Sequence, residues 1–440
     1  MRDSTKGVDM RLMVLAVTVS LVVALPATTA AHAQPSGLHS EAAPSGRQRS
    51  DYTLRVKLRG LTGHQTQVTL RSMQRPRFTE IRRTARSIAF RHLTPGRYQL
   101  SVEAVDNGDE LLRPRRSVKD VKIGIRNSTT RFRFESLDRM VLNQPFATDI
   151  RESPLAGEPR SYYTRSSAFP KDPAAWHLPV DGEGAVVIHK SGALHNHPVS
   201  QAQYGLTALA SYDLTGDDDY LAIARAQAIR LLQARVEVGK AFYFPYTFRW
   251  RLGVTGRNYR PNWYSAMAQG QALSLFLRLA EVTGEMQWRD AADHVFASLL
   301  RQPVDAEDIA VVHVHEGHLW LEEYPRYPVE DSGHVYNGLM FATFGVYDYY
   351  LATGNPQALL LLRGALQTVK DMFARVRNPG GYSHYSIHGN RPHELYHRVH
   401  IRQLQYLSEV TGDSEFARMA ETLRDDSSAL EPDDAVPPER

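Results

Sequence analysis

The sequence predicts a multidomain protein in which a small β-sandwich is followed by an all-α domain, an (α/α) toroid of helical hairpins. Two observations carry this prediction. Between residues 51 and 140 apolar and polar residues alternate, which is typical of strands with one buried face. From residue 201 to residue 425 the apolar period is helical, and a short phrase built on Thr-Gly recurs.

The strand pattern is clearest at the start of the first domain. Tyr52, Leu54, Val56 and Leu58 alternate with polar residues. The stretch 90–102 predicts a strand, a tight Pro-Gly turn and a second strand. This pattern resembles the immunoglobulin-like sandwiches attached to many secreted enzymes.

The helical domain is predicted from the repeated phrase. Each copy ends an apolar stretch with a glycine suited to a left-handed cap, and then offers a polar residue that can start the next helix. Hairpins at such an interval bury their apolar faces by packing side by side, which gives a toroid. The copies are Leu214-Thr215-Gly216-Asp217, Val282-Thr283-Gly284-Glu285, Ala352-Thr353-Gly354-Asn355 and Val410-Thr411-Gly412-Asp413.

The remaining segments are predicted to be accessory. Residues 1–33 have the basic start, the short apolar run and the small-residue cleavage site of an export signal, so we expect a secreted or periplasmic protein. No other run approaches the length of a membrane span. We expect a linker at 34–50, an irregular linking and packing segment at 141–200, and a disordered tail at 426–440. There is no cysteine, which excludes disulfides and thiolate sites.

Charge is distributed unevenly between the two domains. Residues 51–140 contain 20 Lys and Arg against 9 Asp and Glu, while residues 141–440 are acidic on balance. A basic module indicates a polyanionic partner, which leaves nucleic acid, anionic lipid or an acidic polysaccharide. Export makes nucleic acid the least favoured of these, and we expect an acidic polysaccharide. The sequence is also compatible with a homodimer.

Polar aromatic residues are concentrated between the hairpins, in the stretches 234–262, 301–335 and 374–394. We expect these loops to converge at one mouth of the toroid, as in a carbohydrate cleft. In the second loop Glu322, Glu323 and Tyr324 stand just before an apolar helix, an arrangement suited to proton transfer. The same three residues would also suit a solvated turn.

Four motifs of the helical domain resemble the D-glucuronyl C5-epimerases, which convert glucuronate to iduronate within heparan-type chains. The resemblance spans residues 196–424, about half of the chain, and excludes the basic N-terminal domain. The motifs are Ala202-Gln203-Tyr204-Gly205-Leu206; Trp263 to Gln271; Leu321-Glu322-Glu323-Tyr324-Pro325 followed by Asn337-Gly338 and Gly345-Val346-Tyr347-Asp348; and Tyr396-His397-x-x-His400-Ile401-x-Gln403-Leu404-Gln405.

The resemblance implies catalytic roles for Glu323, Tyr324 and Tyr396, with Tyr382 as a further equivalent. One feature departs from the family pattern, because the family has Tyr-x-x-Arg where Tyr382 is followed by Ser-His-Tyr. The arginine that binds the substrate carboxylate is therefore not located by the motif. The candidates for that role and for other substrate contacts are Arg249, Arg251, Arg391, Arg398, Tyr204, Tyr264, Gln269, Asn337 and His400.

The chemistry implied by the resemblance needs an acid and a base on opposite faces of one sugar ring. Removing the C5 hydrogen of a uronate develops an enolate-like dianion, which donors or cations must stabilise. We expect Tyr324 or Glu323 on one face and Tyr396 or Tyr382 on the other, with the hydroxyls of Tyr324 and Tyr396 close together and facing open solvent. The order of base and acid stays open, and the sequence predicts neither a metal nor another cofactor.

Two alternatives remain open at this level. A polysaccharide lyase begins with the same proton abstraction and then expels the 4-linked sugar, so similar residues would serve it. A glycan-binding protein that has lost its activity is the third hypothesis, and the departure from Tyr-x-x-Arg keeps it open.

Overall fold

The computed structural model describes residues 52–148 and 162–430, apart from 62, 75–77, 104, 107–110, 115–117, 125, 138–144, 177, 304–305, 390 and 429. The predicted signal at 1–33 and the linker at 34–50 lie outside these residues. The chain divides into two compact units, one built of strands and one built mainly of helices. No helix of the described part is both long and apolar enough to cross a membrane.

The N-terminal unit consists of two sheets, in agreement with the predicted β-region. A five-stranded sheet has the order β4-β1-β9-β7-β6, and a four-stranded sheet has the order β3-β2-β5-β8. Strands β1 and β9 are parallel, and the other pairs are antiparallel. The strands are β1 (Tyr52–Arg59), β2 (Thr66–Ser72), β3 (Thr79–Thr84), β4 (Ser87–Leu93), β5 (Gly96–Val102), β6 (Val105–Asp106), β7 (Leu111–Pro114), β8 (Val118–Ile123) and β9 (Ser128–Leu137).

Alternation explains how this unit folds. Leu54, Val56 and Phe90 of the five-stranded sheet are buried in one cluster with Leu70 and Leu100 of the other sheet. The predicted turn is confirmed, since β4 ends at residue 93 and β5 begins at residue 96. The immunoglobulin-like character of the unit stays a prediction.

The helical unit contains helices arranged as hairpins, with short strand pairs between them. Helices α1, α3 and α5 are buried on nearly all sides, whereas α2, α4 and α6 each bury one face. A helix that is apolar all round belongs in an interior and an amphipathic helix at its edge. The helices are α1 (Pro198–Thr215), α2 (Asp218–Ala234), α3 (Ala266–Thr283), α4 (Met286–Ala297), α5 (Tyr336–Thr353), α6 (Pro356–Val376), α7 (Glu394–Thr411) and α8 (Ser414–Ser427).

The repeated phrase closes each inner helix in the same way. Its glycines, at 216, 284, 354 and 412, all have φ between 63° and 70°, the left-handed region that glycine adopts without strain. In every copy the threonine Oγ1 accepts from the N–H two residues later, for example 3.0 Å from Asn355 to Thr353. The predicted helix ends are therefore confirmed, while a closed toroid stays a prediction.

The inner helices approach each other closely where glycines replace side chains. A Cβ at Gly270 of α3 would lie 2.5 Å from the Cα of Ala342 in α5, and Gly345 meets the backbone of Gly270. Equivalent positions of α3 and α5 also meet near their C-terminal ends, where Arg278 pairs with Asp348. Helices α3 and α5 therefore run in the same direction.

Two helices extend beyond the bounds predicted for the helical domain, residues 201–425. Helix α1 begins at Pro198, where His197 caps it by accepting from the Ser200 N–H. Helix α8 continues to Ser427, beyond the predicted end at residue 425, because Asp426 is buried and pairs with Arg377 at 2.7 Å. Within the predicted linking segment, the described part from residue 162 packs into the helical core.

Candidate active site

A tight β-hairpin brings the Glu-Glu-Tyr motif into the interior of the helical unit. The strands Val312–His315 and His318–Leu321 are joined by Glu316 and Gly317, whose φ values of 50° and 77° suit a two-residue hairpin turn. Just after the second strand, the Glu322 carbonyl accepts from the N–H of Ala266, 2.7 Å away at the start of α3. The hairpin therefore delivers the motif to the N-terminal end of an inner helix.

Glu322 and Glu323 are both buried but make different contacts. The carboxylate of Glu322 accepts from the backbone N–H of His334 at 3.1 Å, and this holds the turn that leads into α5. Burial raises the pKa of Glu322 well above its usual value. The side chain fixes the local backbone and does not contact the phenols described next.

Glu323 faces a group of tyrosines. Its Oε1 accepts from the hydroxyl of Tyr385 at 3.2 Å, and its Oε2 has no hydrogen-bond partner among the described residues. Oε2 lies against Gly338 in the first turn of α5, where any side chain would collide with it. Burial raises the pKa of Glu323 to about 7, and hydrogen bonds from Tyr324 and Tyr385 limit the rise.

Tyr385 connects the phenols around Glu323. Its ring lies 4.4 Å from that of Tyr396, and its hydroxyl hydrogen-bonds the phenols of Tyr324 and Tyr396. Burial raises the pKa of all three tyrosines above the usual value near 10, so all three are protonated at neutral pH. We call Glu323, Tyr324, Tyr385 and Tyr396 the Glu323 cluster.

An aromatic stack holds Tyr324 in place. The ring of Trp263 lies 3.8 Å from Tyr246 and 5.5 Å from Tyr324, nearly parallel to the former. The Trp263 indole N–H donates to the carbonyl of Phe248 at 3.1 Å, and the hydroxyl of Tyr259 donates to the carbonyl of Tyr324 at 3.0 Å. The backbone and ring of Tyr324 are thus both fixed.

The cluster lies where inner helices begin. Gly338 is in the first turn of α5 and Tyr396 in the first turn of α7, and the phenol of Tyr246 hydrogen-bonds Ser265, the N-cap of α3. Helix N-termini carry a partial positive charge, which stabilises an anion nearby. The arrangement can therefore favour charge that develops on a bound acid.

The expectation that these hydroxyls face open solvent is wrong. Tyr324 is 1% exposed, Tyr396 7% and Glu323 2%. The physical reason is that loops cover the ends of the helices. Gly253, in the loop after the short strand Trp250–Arg251, packs against the guanidinium of Arg391, and the neighbouring Leu252 lies within 3.0 Å of a Cβ built at Gly333, beside Tyr324.

Among the four candidate arginines, Arg391 is the one linked to the cluster. Its carbonyl accepts from the Tyr385 N–H at 3.0 Å. Arg398 instead pairs with Glu394 at 3.0 Å on the exposed face of α7. Arg249 and Arg251 are exposed, and Arg251 donates to the carbonyl of Gly256 at 3.4 Å.

Three of the predicted substrate contacts have other partners. The amide of Gln269 makes three hydrogen bonds, to Phe242, Phe244 and Ser298, and so anchors a strand to α3. The hydroxyl of Tyr204 points to the carbonyl of residue 171 at 3.5 Å, and its ring packs on residue 169. Tyr264 is half-buried, 5.6 Å from the ring of residue 243.

His400 and Asn337 lie in the buried shell behind the cluster. His400 shares a 2.9 Å hydrogen bond with Ser383 and fixes the loop before α7, and burial lowers its pKa to about 3. The carbonyl of Asn337 accepts from Gln403 at 3.0 Å, while its Oδ1 has no partner among the described residues. Both residues position backbone near the cluster.

Tyr382, a predicted catalytic residue, is not part of the cluster. Its ring lies 5.5 Å from His397. Successive side chains on a helix point about 100° apart, so His397 and Tyr396 occupy different faces of α7. The structure instead brings in Tyr385, which stands at the position where the Tyr-x-x-Arg pattern has its arginine. That departure was the sequence signal for Tyr385.

Comparisons with known proteins agree with the helical part of this picture. The family model described as D-glucuronyl C5-epimerase C-terminus matches residues 238–425. A D-glucuronyl C5-epimerase of Caenorhabditis elegans is 24% identical over 182 residues, which is 37% of this chain and 28% of that protein. The uncharacterised protein MJ1128 of Methanocaldococcus jannaschii is 25% identical over 170 residues, 38% of this chain and 54% of its own. The chain thus spans about half, or less, of the length of these relatives.

Solved structures give weaker similarities. A GH76 alpha-mannanase of Bacteroides thetaiotaomicron has a TM-score of 0.35 and 13% identity over 53% of this chain and 57% of its own. An unsaturated glucuronyl hydrolase of Streptococcus agalactiae has a TM-score of 0.33 and 17% identity over 52% of this chain and 57% of its own. TM-scores below 0.5 do not establish a common fold.

Proposed function

We propose that the protein inverts C5 of D-glucuronate residues within an acidic polysaccharide, giving L-iduronate, because residues 238–425 match the family model described as D-glucuronyl C5-epimerase C-terminus. One observation carries the proposal. The buried carboxyl of Glu323 is hydrogen-bonded to the phenols of Tyr385 and Tyr324 and lies in one cluster with that of Tyr396, at the N-terminal ends of inner helices. We propose an exported enzyme on an α/α toroid.

Glu323 is the base in this proposal. A base must be ionised before it removes the C5 hydrogen, and phenols with pKa values above 10 are not ionised at neutral pH. The carboxyl of Glu323, whose burial raises its pKa to about 7, is half ionised there. Its Oε2, which has no hydrogen-bond partner among the described residues, is the atom that takes the proton in this proposal.

Tyr396 is the acid on the other face. As Glu323 takes the C5 proton, the electron pair of the C–H bond moves into the substrate carboxylate and forms an enediolate. The protonated phenol of Tyr396 then donates its proton to the opposite face of C5, which inverts the centre and leaves a phenolate. Tyr324 is placed to donate to the developing charge.

Tyr385 restores the starting state. After one inversion Glu323 holds an extra proton and Tyr396 lacks one. The Tyr385 hydroxyl donates to Glu323 Oε1 and hydrogen-bonds the Tyr396 phenol, so it lies between the two groups. A proton can pass from Glu323 through Tyr385 to Tyr396, and no oxidant or external acid is needed.

Substrate entry requires a change in the covering loops. The cluster is almost fully buried, and a sugar ring reaches it only if the loop carrying Arg391 separates from Gly253. We propose that Arg391 then binds the substrate carboxylate, because it is the candidate arginine whose backbone is tied to Tyr385. Closure over the sugar would exclude water from the enediolate.

Incubation of the full chain with heparosan in D₂O tests the proposal. An epimerase incorporates deuterium at C5 and forms iduronate without shortening the polymer, which NMR and size-exclusion chromatography detect. A lyase would give an unsaturated product that absorbs in the near ultraviolet, and a binding protein would give neither signal. Either of these two results would contradict the proposed function.

A further inference from the structure

The five-stranded sheet of the N-terminal unit has an unusual outer face. Along β1 the residues alternate between buried and exposed, and the exposed ones are Arg55, Lys57 and Arg59. Along β9 the same alternation exposes Arg131 and Arg133. We call these five residues the basic strip.

The strand register places like charges side by side. In the parallel β1–β9 pair, Lys57 is opposite Arg131 and Arg59 is opposite Arg133. Like charges directly opposite each other destabilise a sheet. The two like-charged pairs stand next to each other along the strands, and both lower the stability of the sheet.

Acidic side chains within ion-pair distance of the strip would compensate its charge. Among the described side chains, no carboxylate lies within ion-pair distance of any of the five cations. On its other side β1 pairs with β4, where small residues, Ser87 and Ala89, stand opposite Lys57 and Arg55. In the sequence, Glu135 follows Arg133 by two positions and ends the run of basic residues.

The outer face of the four-stranded sheet is different. It also has one cationic pair, since Arg97 is opposite Lys122, but the next outward row pairs Gln99 with Asp120. Basic, neutral and acidic residues are thus mixed on this face. Positive charge is therefore concentrated on the outer face of the five-stranded sheet and dispersed on that of the four-stranded sheet.

We propose that the basic strip binds a linear acidic polysaccharide at a site separate from the Glu323 cluster; the identity of the polymer as uronate-containing rests on the proposed function. Exposed residues on one strand face are about 7 Å apart and neighbouring strands about 5 Å apart. The strip therefore presents two parallel rows of positive charge along an extended line. An extended polyanion can contact several of these charges at once, which multiplies weak contacts.

Isothermal calorimetry of heparosan binding to the full chain, repeated over a range of salt concentrations, tests this site. In the double variant Lys57→Gln/Arg131→Gln we expect affinity to fall about tenfold or more and the dependence of log Kd on log salt to become shallower by about 1–2. The melting temperature should rise, because a repulsive pair is removed. If the pair instead stabilised the fold, the melting temperature of the double variant would fall.

The matched control is Arg97→Gln/Lys122→Gln, which removes the same two charges from the other sheet. It should change affinity less than twofold. Equal losses in both double variants, or an unchanged affinity in the strip variant, would overturn the proposal. Binding of double-stranded DNA or of phosphatidylserine vesicles as tight as that of heparosan would overturn the assignment to a polysaccharide.

The proposed function can fail separately. C5 deuterium incorporation into a short heparosan oligosaccharide should be the same in the strip variant and in the unmodified chain. Polymer binding by the strip without any deuterium incorporation would contradict the epimerase proposal and leave the strip supported. If deuterium is incorporated but the strip variant binds the polymer as tightly as the unmodified chain, the epimerase proposal is supported and the proposed binding site on the strip is contradicted.

Discussion

The two ends of the inner helices differ in whether a buried charged group has a counterion. Near the C-terminal ends, Arg278 pairs with Asp348 at 3.2 Å. At the N-terminal ends Glu323 is buried at least as deeply, yet no cation among the described residues lies within ion-pair distance of it. A buried acid without a counterion costs stability unless it is neutral. The contrast is what the proposed function requires, since an ion pair stabilises one end and an uncompensated acid at the other end can exchange a proton.

We expect the strongest loss of activity when the phenol of Tyr396 inside the cluster is removed, and little loss when that of Tyr382 outside it is removed. Tyr396→Phe removes the proposed acid and should lower the rate of epimerisation on heparosan by about 10²–10⁴-fold. Tyr382→Phe, next to His397, should change the rate less than about threefold, within the spread for residues outside the chemistry. Rates are followed by NMR of iduronate formation. A large loss in Tyr382→Phe with little loss in Tyr396→Phe would reverse the assignment.

The second prediction uses the dependence of stability on pH. The folded-state pKa of Glu323 is about 7 and its ordinary value is 4.5, so the folded protein holds the proton more tightly. The contribution of this group to stability is complete below pH 4.5 and is lost as the pH rises to about 7. Glu323→Gln should therefore be more stable than the unmodified chain at pH 8 by about 3 kcal/mol.

This difference should vanish near pH 4, as measured by denaturant unfolding at each pH. The control is Glu421→Gln on the exposed face of α8, which makes the same chemical change at a carboxyl that is not buried. If Glu323→Gln gave the same difference at pH 4 and pH 8, Glu323 would not hold its proton as described.

A smaller effect is expected for Tyr385→Phe, which keeps the ring and removes the relay hydroxyl. We expect kcat to fall about 10–100-fold with little change in KM, because substrate binding is retained while recovery of the proton is slowed. The acidic limb of the pH–rate profile should also move to higher pH, since Glu323 loses a donor that favours its ionised form. An unchanged kcat and profile would show that the proton returns through solvent.

The smallest effect should come from the opposite end of the helices. Asp348→Asn removes the partner of Arg278, whose side chain is 24% exposed, and should lower the free energy of unfolding by about 1–2 kcal/mol. The activity per folded molecule should not change. Loss of activity at a temperature where the variant remains folded would contradict the division between the two ends.

The sequence predicted those parts of the fold that depend on local interactions. The Thr-Gly phrases define helix ends through bonds between residues two to four positions apart, so their pattern is readable without the fold. The alternation in β1 likewise predicts which side chains are buried. Glu323, Tyr324 and Tyr396 came from the motifs, and the structure places them together.

The remainder depends on contacts between distant residues. The partner of Glu323 is Tyr385, 62 positions away, and no local pattern pairs them. Gln269 belongs to a recognisable motif, but its amide forms hydrogen bonds within the protein. This residue of the motif therefore stabilises the fold instead of contacting substrate. Burial of the Glu323 cluster also follows from loop contacts, such as Arg391 on Gly253, that a linear pattern does not contain.

In the proposed mechanism Glu323, and not its neighbour Glu322, removes the C5 proton. Exchange of the C5 hydrogen of heparosan with D₂O at pH 8 should be at least about 100-fold slower in Glu323→Gln than in the unmodified chain. In Glu322→Gln, whose amide oxygen can still accept from the His334 N–H, exchange should remain within a few-fold. Exchange at the unmodified rate in Glu323→Gln, or an equal loss in both variants, would contradict the assignment of Glu323 as the base.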